Sequence, residues 1–262
     1  MKNHMNTTIV KIGGSLMERP DALGHLAKAL ADLWLGGTPL VLAHGGGKDI
    51  NRNLGWLGEA PRFKNGLRVT SEAAMEIVEM TLSGAVNKRL VSLLQAAGAR
   101  ACGLSGVDGP TLVCRPLDPD LGRVGTIARV QTALIDTLLT SRFLPVLSPV
   151  SADTAGHHYN VNADDAAAAL ATGMQASKLV FVSDVPGVLD AAKKIIPRLN
   201  RDSAEALIAT GVIAGGMIPK VRSCLAAVDA GVGEVHVCGF TTAEALEAQI
   251  TGAANGGTIV GE

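Results

Sequence analysis

Short aliphatic runs, each released by glycine or polar residues into a stretch of helical periodicity, alternate along nearly all of this 262-residue chain. That alternation limits the fold more than any other feature. An apolar run buried on both faces needs helices above and below it, and a strand–helix–strand repeat returns the chain parallel to itself. Strands are expected over 8–10, 39–43, 99–104, 111–115, 143–147, 179–183 and 234–238. Helices are expected over 21–35, 131–141, 164–174, 203–210 and 220–230, with a long amphipathic stretch over 71–97 whose weak point is Gly84. The expected architecture is α/β, a three-layer αβα sandwich around a mainly parallel sheet. Its core is aliphatic, because 47% of residues are hydrophobic and 3% aromatic. The length admits one large domain or two lobes. The boundary is placed near Gln175, giving lobes 1–175 and 176–262.

Two expected strand ends carry glycine turns. Lys11-Ile12-Gly13-Gly14 follows the first apolar run, and His44-Gly45-Gly46-Gly47 follows the second and opens a helix near Lys48. Glycines at a strand-to-helix turn let backbone N–H groups close on an anion, and the helix N-terminus adds a favourable field. Two such turns, one carrying a lysine, point to phosphate handling. Neither matches a familiar fingerprint. Lys48 is followed by Asp49 rather than Ser or Thr, and Lys48, Asp49 and Ile50 follow Gly47 where a dinucleotide motif needs a further glycine. Ligands of such sheets sit beyond the carboxyl ends of the strands, where both turns fall.

Composition excludes several classes. Lys and Arg total 23 against 24 Asp and Glu, so no overall basic field invites nucleic acid. No apolar run is long enough to span a bilayer. Residues 1–8 are polar and lack a signal-peptide core. Cys102, Cys114, Cys224 and Cys238 show no C-x-x-C spacing, which fits reduced core thiols and a cytoplasmic location.

Other polar residues stand out by position. Asn160, Asn162 and Asp164 alternate with Val161 and Ala163, so an extended segment would put all three on one face as a polar wall, with helix capping as a compatible second role. Arg68 in the loop before the long helix is suited to bidentate carboxylate binding. The segment from Ser183 through Asp184, Val185, Pro186, Gly187, Val188 and Leu189 leaves a strand through a Pro-Gly turn able to hold an adenine nucleotide. Lys220 follows Gly215-Gly216 at a helix start, where its charge opposes the helix dipole and favours an anion nearby. His157 and His158 are neighbours on a strand and point apart, so they read as surface residues rather than metal ligands. His44 reads as a hydrogen bonder that orients its turn rather than as a base. No G-x-S-x-G elbow supports a hydrolase.

Taken in order, Lys11-x-Gly13-Gly14, His44-Gly45-Gly46-Gly47, Asn65-Gly66-Leu67-Arg68-Val69-Thr70, Asn160-Val161-Asn162-Ala163-Asp164, Ser183-Asp184-Val185-Pro186-Gly187 and Gly215-Gly216-Met217-Ile218-Pro219-Lys220 resemble the amino acid kinase family over nearly the whole chain. Within it, the Asn65–Thr70 segment resembles the members that act on N-acetyl-L-glutamate. The resemblance implies ATP-dependent phosphorylation of the γ-carboxylate of that compound, with Mg²⁺, early in arginine biosynthesis. By the same resemblance, Lys11 and Lys220 would stabilise the transferring phosphoryl group and Asp164 would orient them. Gly46, Gly47, Arg68 and Asn160 would bind the acyl substrate. Gly13, Gly14, Asp184, Val185, Pro186, Gly187, Val188, Leu189, Val212, Ile213 and Ala214 would line the ATP site. No protein ligand to Mg²⁺ is implied.

There are departures from the family pattern. Val107 and Ala85 stand where many members have lysine, and 239–243 lacks a common Asp-Gly-Arg pattern. Two alternatives stay open: a kinase of carrier-protein-bound aminoadipate, which Pro61-Arg62-Phe63 resembles, and a non-catalytic sensor on the same fold. Members inhibited by arginine carry an N-terminal helix that builds hexamers. Residues 1–8 are short and polar, so a homodimer joined through the 71–97 stretch and little arginine inhibition are expected.

Overall fold

The computed structural model describes residues 6–13, 16–252 and 256–261. Gly14, expected at the first turn, lies outside the described residues. After β1 (Thr8–Ile12) come α1 (Pro20–Leu35), β2 (Leu40–His44) and α2 (Gly47–Leu54). A short hairpin, β3 (Phe63–Lys64) and β4 (Leu67–Arg68), precedes α3 (Glu72–Glu79), a π-helical segment (Met80–Val86) and α4 (Asn87–Ala96). Next are β5 (Ala101–Ser105), β6 (Leu112–Pro116), β7 (Val124–Val130), α5 (Ala133–Thr140) and β8 (Leu144–Ser148). The chain continues through β9 (Val150–Ala152), β10 (His158–Val161), α6 (Ala163–Gly173) and β11 (Lys178–Ser183). It closes with β12 (Arg198–Leu199), α7 (Arg201–Ala209), α8 (Met217–Asp229), β13 (Glu234–Gly239), α9 (Ala243–Thr251) and β14 (Thr258–Val260).

The main sheet has the order β12-β14-β13-β11-β1-β2-β8-β5. Its neighbours run parallel except the antiparallel pair β13 and β14. Two aliphatic clusters cover it. Leu23, Leu30, Leu90 and Ile250, from α1, α4 and α9, pack on one face; Leu170, Val221 and Leu225, from α6 and α8, pack on the other. This is the expected three-layer sandwich. β1 lies between β2 and β11, so the chain departs to opposite sides of it and opens a crevice at its carboxyl end.

Two local expectations change and one is made definite. The strand expected over 111–115 is β6, but it leaves the main sheet. It pairs antiparallel with β7 and joins β9 and β10 in a small closed barrel, because no helix follows it to carry the chain back parallel. The polar, glycine-containing stretch over 148–162, which reads from the sequence as a hairpin or an irregular connection, forms the antiparallel pair β9–β10. The long helix does change character around Gly84, by widening into the π-helical segment rather than by stopping.

Candidate active site

Alternation along β1 decides where Lys11 points. Ile9 enters the cluster beneath α6, whereas Val10 and Ile12 enter the opposite one. Lys11 shares the face of Ile9. It is 6% exposed, and its Nζ lies 2.6 Å from Asp164 Oδ1. Asp164 stands in the first turn of α6, and its other oxygen accepts from Lys220 Nζ at 2.7 Å. Lys220, near the start of α8, also sits over the Phe181 ring, 5.1 Å from its centroid. One carboxylate thus holds two ammonium groups drawn from opposite ends of the chain.

Burial opposes ionisation of Asp164, but the two lysines outweigh it and hold the carboxyl well below the usual carboxylate range. Burial also lowers the Lys11 ammonium; Asp164 opposes that shift, and the Lys220 charge adds to it. With both lysines charged, the trio presents a net positive charge to the crevice.

The second cationic group is built by a tight turn. Asn65 and Gly66 have φ of 52° and 80°, as a two-residue hairpin turn of the Asn-Gly kind requires. The register sets Phe63 opposite Arg68, with the guanidinium 4.9 Å from the ring centroid. Arg68 is 8% exposed. Its Nη2 donates to the Gly47 carbonyl at 2.9 Å, and Nη1 is buried without a hydrogen-bond partner among the described residues. Burial lowers the Arg68 pKa, but a guanidinium stays charged. A buried charged donor left open calls for an anionic acceptor.

Between these groups lies a cavity of about 230 Å³, lined by Lys11, Gly46, Gly47, Arg68, Asn160 and Asp164, with Leu67, Leu82 and Val124 among its apolar walls. A larger cavity, about 820 Å³, opens beside β12 and β14 and carries none of the expected residues. A Cβ on Gly46 would stand 2.8 Å from Leu82 Cδ2 and 3.2 Å from Val86 Cγ2, so the turn must be glycine unless those side chains move. Asn160 Nδ2 donates to Thr70 Oγ1 at 3.2 Å. Asn162 caps α6, its oxygen accepting from the Asp164 N–H at 2.8 Å and the Asp165 N–H at 3.3 Å. The single extended face expected for Asn160, Asn162 and Asp164 does not form, since the strand ends at Val161. They reach the cavity because the chain turns there from β10 into α6.

The described residues expected around ATP lie outside this cavity. The Gly13 N–H donates to the Val182 carbonyl at 2.7 Å and is already engaged. Val188 and Ile213 are core residues, with N–H groups donating to Thr258 Oγ1 and the Leu207 carbonyl. Asp184, Val185, Pro186, Gly187 and Leu189 lie in the loop after β11, at the same sheet end as Lys11. Val212 and Ala214 lie in the connection leading into α8. None of these residues lines the 230 Å³ cavity.

His44 is fully buried. Burial brings its pKa down to about 4, so it stays neutral at ordinary pH. His157 and His158 pair with Asp153 and Glu79, away from the cavity. Sequence reasoning missed Phe63 and Asn87. Phe63 was within reach, because an Asn-Gly turn fixes the register that sets it on Arg68. Asn87 gave no local signal.

A buried carboxylate bridging two lysines at a glycine-lined switch point is an arrangement for phosphoryl transfer, and the chain belongs to the amino acid kinase family, whose profile matches residues 6–239. It is similar to the acetylglutamate kinase of Sinorhizobium fredii (strain NBRC 101917 / NGR234), with 40% identity covering 99% of this chain and 93% of that one. The acetylglutamate kinase of Koribacter versatilis (strain Ellin345) is 42% identical, with 91% and 92% covered. Among solved structures, N-acetylglutamate synthase from Neisseria gonorrhoeae, complexed with coenzyme A and N-acetyl-glutamate, superposes with a TM-score of 0.85 at 26% identity. The match covers 99% of this chain and 60% of that one.

Proposed function

We propose that this chain transfers the γ-phosphoryl group of ATP to the γ-carboxylate of N-acetyl-L-glutamate, giving N-acetylglutamyl 5-phosphate for arginine biosynthesis. The observation that carries the reading is Asp164 holding Lys11 and Lys220 beside a cavity walled by Arg68 with its open Nη1. Two acetylglutamate kinases at 40% and 42% identity support the same substrate.

The chemistry suits these residues. A carboxylate is ionised near neutral pH and needs no general base. One of its oxygens bonds to the γ-phosphorus as the bond from that phosphorus to the β–γ bridging oxygen breaks, and ADP leaves with the electron pair. The obstacle is bringing anions together, which preorganised cations and N–H groups relieve. Lys11 and Lys220 meet the charge of the moving phosphoryl group. Arg68 takes the α-carboxylate, and Gly46, Gly47 and Asn160 hold the rest of the acyl substrate. Both Asp164 oxygens already meet lysine ammonium groups, and the described residues include no cluster of three or more His, Cys, Asp or Glu fit for a metal. Mg²⁺ therefore fits as a partner of the ATP phosphates and water, where it would neutralise phosphate charge. We assign the acyl substrate and a dimer contact to lobe 1–175 and ATP to lobe 176–262.

Trapping of the acyl phosphate by hydroxylamine tests the reading, with N-acetylglutamate, glutamate, aspartate and carrier-bound aminoadipate compared as acceptors under Mg-ATP. N-acetylglutamate is expected to give the most hydroxamate. Free glutamate should be poor, since its ammonium replaces a neutral amide next to Arg68. A better yield from any other acceptor overturns the substrate, and binding of N-acetylglutamate without turnover would establish a sensor.

A further inference from the structure

We propose that His44 and Asn87 are positioning residues which, with the π-helical segment, hold the Gly45–Gly46 peptide so that the Gly46 N–H faces the acceptor carboxylate. The inference rests on the substrate reading above and extends it to groups that touch no substrate.

Both side chains are completely buried. His44 Nδ1 lies 3.0 Å from the Gly45 carbonyl oxygen, and Nε2 lies 3.0 Å from Asn87 Nδ2. A carbonyl can only accept, so Nδ1 carries the proton. The Asn87 end is fixed separately: Nδ2 donates to the Val146 carbonyl at 2.9 Å, and Oδ1 accepts from Lys88 Nζ at 3.1 Å. The amide nitrogen therefore faces His44 and needs an acceptor at Nε2. Two independent contacts require the same neutral tautomer, with the proton on Nδ1.

The consequence falls on the glycine turn. The His44 ring draws the Gly45 carbonyl towards the interior. No peptide bond among the described residues is cis, and a planar trans peptide sets the following N–H on the opposite side. That is the Gly46 N–H, which has no hydrogen-bond partner among the described residues and stands at the open start of α2 beside the cavity. Leu82 and Val86, the residues that a Cβ on Gly46 would strike, also pack against the turn.

The π-helical segment explains how one helix delivers all three contacts. At about 100° per residue, an α-helix would turn Asn87 about 140° away from Leu82. An i→i+5 turn carries residue i+5 nearly over residue i, so Asn87 comes to the side already occupied by Leu82 and Val86. Asn87 reaches His44 while the two apolar side chains reach Gly46.

Two measurements test this. Nitrogen-15 NMR of the histidine side chains in the intact protein at pH 7 should show His44 neutral with its proton on Nδ1; a proton on Nε2, or an imidazolium, overturns the proposal whatever the substrate proves to be. In His44→Asn the amide nitrogen occupies the place of Nδ1, whereas in His44→Gln it reaches the place of Nε2. A positioning role predicts that Asn keeps the KM for N-acetylglutamate within about threefold, while Gln raises it roughly tenfold. The KM for ATP should stay unchanged in both. A packing role predicts the reverse order, because Gln fills the site better, and that result would overturn the proposal. Lack of turnover of N-acetylglutamate by the wild-type protein would instead fail the substrate reading and leave the tautomer measurement standing.

Discussion

At Asp164 two ammonium groups compete for one carboxylate, and the consequences can be read residue by residue. Lys11→Ala and Lys220→Ala should each lower kcat by roughly 10²–10³-fold, the cost of losing one preorganised donor to the transition state. Arg68→Ala should instead raise the KM for N-acetylglutamate with little change in kcat, because the α-carboxylate has the same charge before and during transfer. Steady-state kinetics separate the two, and a kcat defect confined to Arg68→Ala would reverse the roles. Asp164→Asn removes the charge that opposes the lowering of Lys11 by burial and by Lys220. Lys11 should then lose its proton at lower pH, so the residual kcat should fall with rising pH before that of the wild type; parallel alkaline limbs would contradict this. The folded-state pKa of Asp164 is depressed. Its pairing therefore adds stability above the ordinary carboxylate pKa, and loses it as pH falls towards the depressed value. The identities of these residues were visible in the sequence. Their meeting was not, since nothing local to residues 11, 164 and 220 states that three distant elements converge.

The elements position the site through their ends. Asn162 caps α6 and so fixes the turn that carries Asp164. Asn162→Ala should cost about 1 kcal/mol of stability, measured by denaturant unfolding, and should lower kcat as Asp164 shifts. An unchanged kcat would show that the lysines alone hold the carboxylate. Gly46→Ala should raise the KM for N-acetylglutamate, because the new methyl would meet Leu82 Cδ2 at 2.8 Å. Leu82→Ala should relieve it, so a double-mutant cycle should show coupling rather than additivity. Most strands and helices of the main sheet were legible as aliphatic runs and helical periodicity. The small barrel was not. β6 was expected as a strand, but its pairing with β7, irregular between Val113 and Cys114, rests on tertiary contacts that alternation does not encode. Gly84 marked the weak point of the long helix, but a sequence does not distinguish a widened turn from a stop.

For the whole molecule, the order of strands about β1 brings Lys11, the glycine turn and the loop after β11 to one sheet end. Alternation implied parallel strands; the order came from tertiary packing that periodicity does not encode. The stretch from α3 to α4 leaves Met80 55% exposed, in keeping with a contact to a second copy. Light scattering during size exclusion should report a homodimer, and a hexamer or a monomer would contradict that contact. No described helix is long and apolar enough to cross a membrane. In the proposed reaction a substrate carboxylate, rather than water, attacks the γ-phosphorus. N-acetylglutamate labelled with oxygen-18 in both γ-carboxylate positions tests it directly. Hydroxylamine cleaves the acyl phosphate at its carbonyl carbon and releases phosphate that keeps the attacking oxygen. Phosphorus-31 NMR should then find one oxygen-18 in that phosphate, whereas unlabelled phosphate would show that water was the acceptor.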